Sequence, residues 1–308
     1  MQVRVLGAAA GGGFPQWNAA SVACRRARSG DPAARPATQA SIAVSADGER
    51  WALVNAAPDL RQQIEANPPL HPHGALRSSP IAAVVLTNAD VDAVAGLLHL
   101  REGTPFSLYA HARILQVLDG NPIFDVVNRA IVPRRQVEPG RRTVLADAAG
   151  ESLGVALEAF LAPGKLPLYL EGQPGAALDT AALDGDTLGL ELDAGGGRLV
   201  YLANCARLDD AMCQRVAGAD LLFLDGTLWR DDEMIAQRVG TKTGQRMGHI
   251  SMSGPDGAIA RLREVEVGRR VFIHVNNTNP ALLADSPERA LLEEAGWEVA
   301  FDGMELRL

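Results

Sequence analysis

Short apolar runs alternate with amphipathic stretches along almost the whole chain. Runs rich in β-branched residues or Leu, bounded by Gly, Asp, Asn or Pro, predict strands at 2–7, 40–45, 51–55, 81–86, 106–109, 155–161, 187–192, 198–203, 220–224, 270–275, 297–301 and 304–308. Helical periodicity is visible at 56–66, 91–101, 112–119, 207–217, 231–238, 255–263 and 286–295. The last of these opens on Asp285-Ser286-Pro287-Glu288, a capping residue followed by Pro at the first helical position. Strands and helices in alternation indicate an α/β fold.

The two halves echo one another. Residues 41–60 read strand, Ala-Asp-Gly turn, strand, helix, and residues 188–216 read strand, Asp-Ala-Gly-Gly-Gly turn, strand, helix. Each unit is followed by an apolar strand that runs toward an acid: Val84-Val85-Leu86 toward Asp90, and Leu221 to Leu224 ending at Asp225. Any α/β chain can show such echoes, so the pattern by itself leaves a true repeat and coincidence open. A true repeat predicts an αββα four-layer sandwich, two half-sheets face to face with helices outside and the site where strand ends from both halves meet. On that reading residues 1–308 form a single domain built from two similar halves. The irregular stretch from Pro163 to Asp186 reads as an insertion or lid.

With 308 residues, 47% of them hydrophobic, the chain can bury a sizeable core. Its net charge of −8 argues against a nucleic-acid backbone as main ligand. Three cysteines without disulfide spacing suit a reducing compartment. The chain begins directly on a strand pattern, Val3-Arg4-Val5-Leu6, and no apolar run approaches the ~18 residues of a membrane span. A cytoplasmic protein with no membrane partner is expected.

The densest chemistry lies in Leu86-Thr87-Asn88-Ala89-Asp90-Val91-Asp92-Ala93-Val94-Ala95-Gly96-Leu97-Leu98, where an apolar strand turns into a helix. Asp90 and Asp92, two residues apart on a strand-end loop, can both reach one hard cation such as Mg, Mn or Fe(II). The competing role, N-cap of the following helix, needs only one of Asn88, Asp90 and Asp92. Among the six histidines, His274 ends an apolar strand and His249 sits in a Gly-flanked loop before a helix, whereas His71, His73, His99 and His111 read as surface or structural. Gly11-Gly12-Gly13 lacks the rest of a phosphate-loop signature and reads as a tight turn. Cys24 has no Cys or His partner at ligand spacing and reads as a free thiol. Asp225 either lines the site from the second half or forms a turn.

In the metallo-β-lactamase superfamily, the strand-to-helix junction reads Thr or Ser, His, x, His, x, Asp, His. Here the frame and the Asp survive, with Asn88, Asp90 and Ala93 at the three His positions. Segments from Gly7 to Asn18 (GAAAGGGFPQWN), Asn55 to Gln63 (NAAPDLRQQ), Asp225 to Glu233 (DGTLWRDDE), Thr241 to Gly257 (TKTGQRMGHISMSGPDG) and His274 to Pro280 (HVNNTNP) span the chain. Together with the 86–98 junction they resemble the coenzyme PQQ biosynthesis protein B branch of that superfamily. The resemblance implies the αββα fold and a role in assembling pyrroloquinoline quinone from a precursor peptide containing Glu and Tyr. The branch has been regarded as an iron-dependent, O2-using hydroxylase of the tyrosine ring, and earlier as a PQQ carrier.

Position by position, the resemblance implies Asp90, Asp92 and His274 as ligands of one Fe(II). It casts His249, Arg246 and Asn88 as catalytic, His249 matching a proton-transferring His of related phosphodiesterases. Ser251, Ser253, Asn276, Asn277, Asn279, Trp229 and Asp225 fall where substrate would bind. The implied partners are a small peptide or amino-acid precursor of PQQ and other PQQ biosynthesis proteins. Two departures matter. Family members carry His where this chain has Ala93, which predicts weakened iron binding and low activity. Ala19, Ser21 and Cys24 stand where many members carry a Cys-x-Cys-x-x-Cys zinc site, so no structural zinc is expected. Asn204 stands about where a bridging Asp would be, which disfavours a two-metal hydrolase. The rival reading is a non-enzymatic carrier of PQQ or a precursor.

Overall fold

A computed structural model describes residues 1–171 and 179–308 of the chain. The apolar runs become two seven-stranded mixed sheets. The first has the order β14 (Glu305–Arg307), β1 (Gln2–Gly7), β2 (Ser41–Ser45), β3 (Trp51–Val54), β4 (Ile81–Val85), β5 (Ser107–Ala110), β6 (Arg134–Gln136). The second has β13 (Trp297–Val299), β12 (Val267–Ile273), β11 (Ala219–Asp225), β10 (Arg198–Leu202), β9 (Leu188–Asp193), β8 (Ser152–Leu161), β7 (Arg142–Ala146). The echo seen in the sequence has a structural counterpart. β2 pairs antiparallel with β3 and β3 parallel with β4, as β9 pairs antiparallel with β10 and β10 parallel with β11.

Side-chain alternation along these strands assigns two apolar layers. Leu199, Tyr201, Leu221 and Phe223 join Ile42, Leu53, Val84 and Leu108 in the cluster between the sheets. Their neighbours Val200, Leu202, Leu222 and Leu224 face the other way, packing with Met212 and Val216 of a helix at Asp210–Val216, Ala258, and Leu292 of a helix at Pro287–Glu294. Phe272 and Trp297 stack there with centroids 4.1 Å apart. Helices therefore cover the outer face of the second sheet, giving the α/β sandwich.

Two strands and two helices were not anticipated. β6 (Arg-Arg-Gln) is a polar edge strand with no apolar run, and β7 is an edge strand whose apolar stretch is only Val144-Leu145-Ala146. The helix Val22–Arg28 is Arg-rich, and that at Gly244–Met247 is a single turn capped by the Thr243 hydroxyl. The 91–101 helix is one α-turn, Val91–Val94, continuing as a 3-10 helix through Leu100. Gly96 in it packs directly on the loop after β3, where a Cβ would lie 2.1 Å from the Ala57 carbonyl. Among the described residues no helix is long and apolar enough to cross a membrane.

The strand ends are gathered by the polypeptide's own loops. Ala56 N–H donates to the Ala93 carbonyl, Leu188 N–H to Thr87, and Ala10 N–H to Val275. Asp302, in the turn between β13 and β14, accepts from Ala8 N–H (3.1 Å) and from Thr38 N–H and Oγ1 (both 2.7 Å). Burial outweighs these bonds and pushes its carboxyl up to about 6. The folded state then holds this proton more tightly than the unfolded chain, so its contribution is fully present below about pH 4 and is lost as pH rises through about 6. The stability of the wild type relative to Asp302→Asn is expected to fall by roughly 1–3 kcal/mol between pH 4 and 7. Urea unfolding of both proteins across that range measures it, and a difference that is flat or rises with pH would refute the assignment.

Candidate metal centre

The centre is built around Asp225, at the end of β11 and fully buried. Its Oδ2 accepts from Cys205 N–H (2.9 Å) and faces His249 Nδ1 at 2.7 Å. Its Oδ1 accepts from Thr227 N–H (3.0 Å) and from the Thr227 hydroxyl (2.7 Å). The hydroxyl has one proton, and the carboxylate is its strongest acceptor. The Thr227 oxygen must then accept from the ring of His274, whose Nδ1 lies 2.9 Å away. That fixes the ring orientation: His274 donates Nδ1–H to Thr227 and turns Nε2 toward Asp92. By the same logic His249 donates Nδ1–H to Asp225 and leaves Nε2 free to act. The two rings stack with centroids 5.2 Å apart.

His274 Nε2 lies 3.0 Å from Asp92 Oδ2. Burial opposes both charges, but the shared hydrogen bond and mutual attraction win, so the Asp92 carboxyl sits below its ordinary range and the His274 imidazolium above. His274 adopts φ 60°, in the left-handed region that non-glycine residues seldom occupy. The segment is pinned by Val275 N–H to Ala8 and by Gly226 N–H to the Ile273 carbonyl. Gly12 and Gly13, with φ 92° and 70°, form the tight turn that carries the chain past Asp92.

Beyond this pair the donor set thins. Asp90 is turned away: its Oδ1 accepts from Leu168 N–H (3.2 Å) and lies 3.9 Å from Lys165 Nζ. Burial is the main reason its carboxyl is raised. Ala93 is buried and offers a methyl. Asn88, expected to be catalytic, instead accepts from Asp90 N–H (2.9 Å) and donates to Asn204 Oδ1 (3.0 Å), clasping the two halves together. Asp225, His249 and His274 do bring ligand-type atoms within 4.8 Å of one another, the only such trio among the described residues. Four donors also converge on the Asp225 oxygens, so the trio is a hydrogen-bond network as well. The expected ligands Asp90, Asp92 and His274 therefore do not converge as a triad. Asp92 and His274 supply one carboxylate and one imidazole, and iron and zinc sites ordinarily draw on three or more protein ligands.

Several of the expected substrate contacts have hydrogen-bond partners within the protein. Asp225 is enclosed beneath His249 and orients it. Asn279 is fully buried, donates to the Gly226 carbonyl and caps Ala281 N–H. Asn276 is spent on Thr278 Oγ1, and Ser253 Oγ on the Trp229 carbonyl. Trp229 packs against the outer apolar layer of the second sheet, and Ser251 bridges Leu228 through its backbone. Asn277 differs: with Gln16 and Thr278 it lines a cavity of about 810 Å³ that also borders Ala19 and Ser21. Cys24 is buried, its Sγ 3.9 Å from Asn277 Oδ1. Arg246 reaches Glu171 at 3.3 Å. Of the region expected to form an insertion or lid, residues 172–178 lie outside the described residues, while 165–171 lie across the Asp90 loop. Thr227, Lys165, Glu171 and Lys242 were missed as site residues, since nothing in their local sequence marks them.

Residues 50–275 match the model of the beta-lactamase superfamily domain. A coenzyme PQQ synthesis protein B from Gluconacetobacter diazotrophicus is 53% identical over 98% of both chains. The solved structure of Zn2+-bound PqqB from Methylobacterium extorquens superimposes with a TM-score of 0.95, 51% identity and full coverage of both chains. A diphosphatase of the PhnP family shares the fold, with a TM-score of 0.65 at 19% identity, over 100% of this chain and 97% of its own.

Proposed function

The chain belongs to the beta-lactamase superfamily and, within it, to the coenzyme PQQ synthesis protein B family, and on that premise we propose that it serves PQQ synthesis by binding a small tyrosine-containing precursor or PQQ itself. Strand ends of both halves contribute to the centre, so residues 1–308 act as one unit. The oxidative reading, hydroxylation of the tyrosine ring with Fe(II) and O2, is the alternative activity for this centre. In this chain its metal set is reduced to Asp92 and His274. The observation that carries the proposal is that pair, 3.0 Å apart and satisfied by mutual attraction, with a methyl at position 93.

What remains intact is the protein's own acid–base and anchoring machinery. Asp225 holds His249 in one tautomer and orientation, so that its Nε2 can accept or return a proton at a bound phenol. Arg246, three residues earlier, can anchor an anionic group of the ligand. The test is equilibrium binding of PQQ to the purified protein, beside iron content after gel filtration and a mass assay for oxygen insertion into a Glu- and Tyr-containing peptide. Binding of PQQ, iron well below one per chain and no product above blank are expected. Equimolar retained iron with a product heavier by one oxygen would replace this reading with the hydroxylase.

A further inference from the structure

Three cations crowd one carboxylate beside the centre. Lys242 Nζ lies 3.1 Å and Arg246 Nη2 3.3 Å from Glu171 Oε2, and Lys165 Nζ lies 3.7 Å from Glu171 Oε1. They come from two segments remote in sequence, the strap at 165–171 and the approach to the single-turn helix Gly244–Met247. Lys165 and Glu171 are nearly enclosed, their side chains 13% and 14% exposed. The other acid in reach, Asp90, meets Lys165 alone at 3.9 Å. Lys242 and Arg246 are more open, their side chains 36% and 40% exposed, so the cluster has a solvent-facing side, and among the described residues one carboxylate serves three cations.

The hydrogen bonding is unfinished as well. Among the described residues Arg246 Nη1 and Glu171 Oε1 are buried without a hydrogen-bond partner. A guanidinium presents its donors in a planar fork suited to a carboxylate, and here one arm of the fork has none. Burial pushes the Glu171 carboxyl up, but the Lys242 and Arg246 hydrogen bonds outweigh it and keep Glu171 ionised.

The cluster is tied to the centre by geometry. Gly248, with φ 84°, lies between Arg246 and His249, and a Cβ there would come within 3.2 Å of Lys165 Cγ. Strap and catalytic turn are thus in direct contact. The strap is latched to the Asp90 loop by Leu168 N–H to Asp90 Oδ1 and by the Tyr169 hydroxyl to the Ala89 carbonyl (2.7 Å). On its other side a cavity of about 480 Å³, lined by Leu166, Tyr169 and Leu170 with Arg113 and Gln116, gives it room to move.

We infer that Lys165, Lys242 and Arg246 form a receiving site for a carboxylate of a small polycarboxylate ligand, with Glu171 as its built-in stand-in. An arriving carboxylate displaces Glu171, completes the Arg246 fork and places the rest of the ligand beside His249. No metal is involved. The inference rests on the PQQ reading only for its first probe, PQQ being itself a polycarboxylate.

The test is calorimetric titration of the full chain, treated with chelator, with PQQ, citrate and inorganic phosphate in turn. Glu171→Gln removes the stand-in and is expected to tighten the polycarboxylates about fivefold, the size of one partly exposed ion pair. Lys242→Met and Arg246→Met are expected to weaken them at least about tenfold. A merely structural Glu171 would do the opposite, because losing a strut loosens the site. Unchanged or weaker binding to a Glu171→Gln protein whose melting matches the wild type overturns the proposal. So does unchanged binding to Lys242→Met, which leaves the strap's latches in place, and so does phosphate binding as tightly as citrate. Citrate bound without PQQ supports the carboxylate site and counts against the PQQ reading instead.

Discussion

Asp225→Ala is expected to destabilise the folded chain by about 3–5 kcal/mol, the cost of taking one partner out of a buried charged network. Four donors converge on this carboxylate: Cys205 N–H, Thr227 N–H, the Thr227 hydroxyl and His249 Nδ1. Alanine leaves all four without an acceptor in a place water does not reach. Asp225→Asn recovers only part of the loss, because its amide nitrogen is a donor turned toward donors. Thr227→Val, which removes the hydroxyl between Asp225 and His274, is expected to cost about 1–3 kcal/mol. The double variant should cost less than the sum by about 1 kcal/mol or more, since both break one network. Urea unfolding at pH 7 measures all four. An Asp225→Ala protein within about 1 kcal/mol of wild type would show that the network does not hold the centre together.

That network marks where the sequence could be read and where it could not. β4 and β11 were legible because a strand buried on both faces needs an unbroken apolar run, and Ile81–Val85 and Leu221–Leu224 supply one. β6 and β7 were not, because an edge strand needs only backbone partners and its side chains can be Arg and Gln. At the site, strand-end position drew attention to Asp92 and His274, and a Gly-flanked loop to His249. It could not show which acceptor each donor obtains. Asn88 and Asp225 have the chemistry of catalytic or substrate-binding groups, yet both are consumed by neighbours brought from more than a hundred and about twenty residues away, respectively. Asp90 looks like a ligand until the strap, 78 residues later, takes one of its oxygens. Local sequence lists polar groups; the fold decides which of them remain free.

Position 93 is where that limit can be tested most directly. If position 93 faces the Asp92–His274 pair, as the family resemblance implies, Ala93→His adds an imidazole there and a third donor. Even partners outside the ligand shell change metal affinity about 10–100-fold, so a true third ligand is expected to raise affinity for Zn2+ or Fe(II) by at least about 100-fold. The cost falls on the metal-free protein. Ala93 is buried in the core between the sheets, and forcing a larger side chain into such a place costs about 1–3 kcal/mol. The metal-free variant should therefore melt below the wild type and recover on adding metal, because an ion bound only by the folded state stabilises it. Ala93→Leu separates packing from ligation, since it pays a similar steric cost and supplies no donor. Metal-dependent recovery confined to Ala93→His is the expected result, read as melting temperature against metal concentration and as bound metal per chain. Equal recovery in Ala93→Leu, or none in either, would mean that position 93 does not face the metal and that the Asp92–His274 pair was never one ligand short.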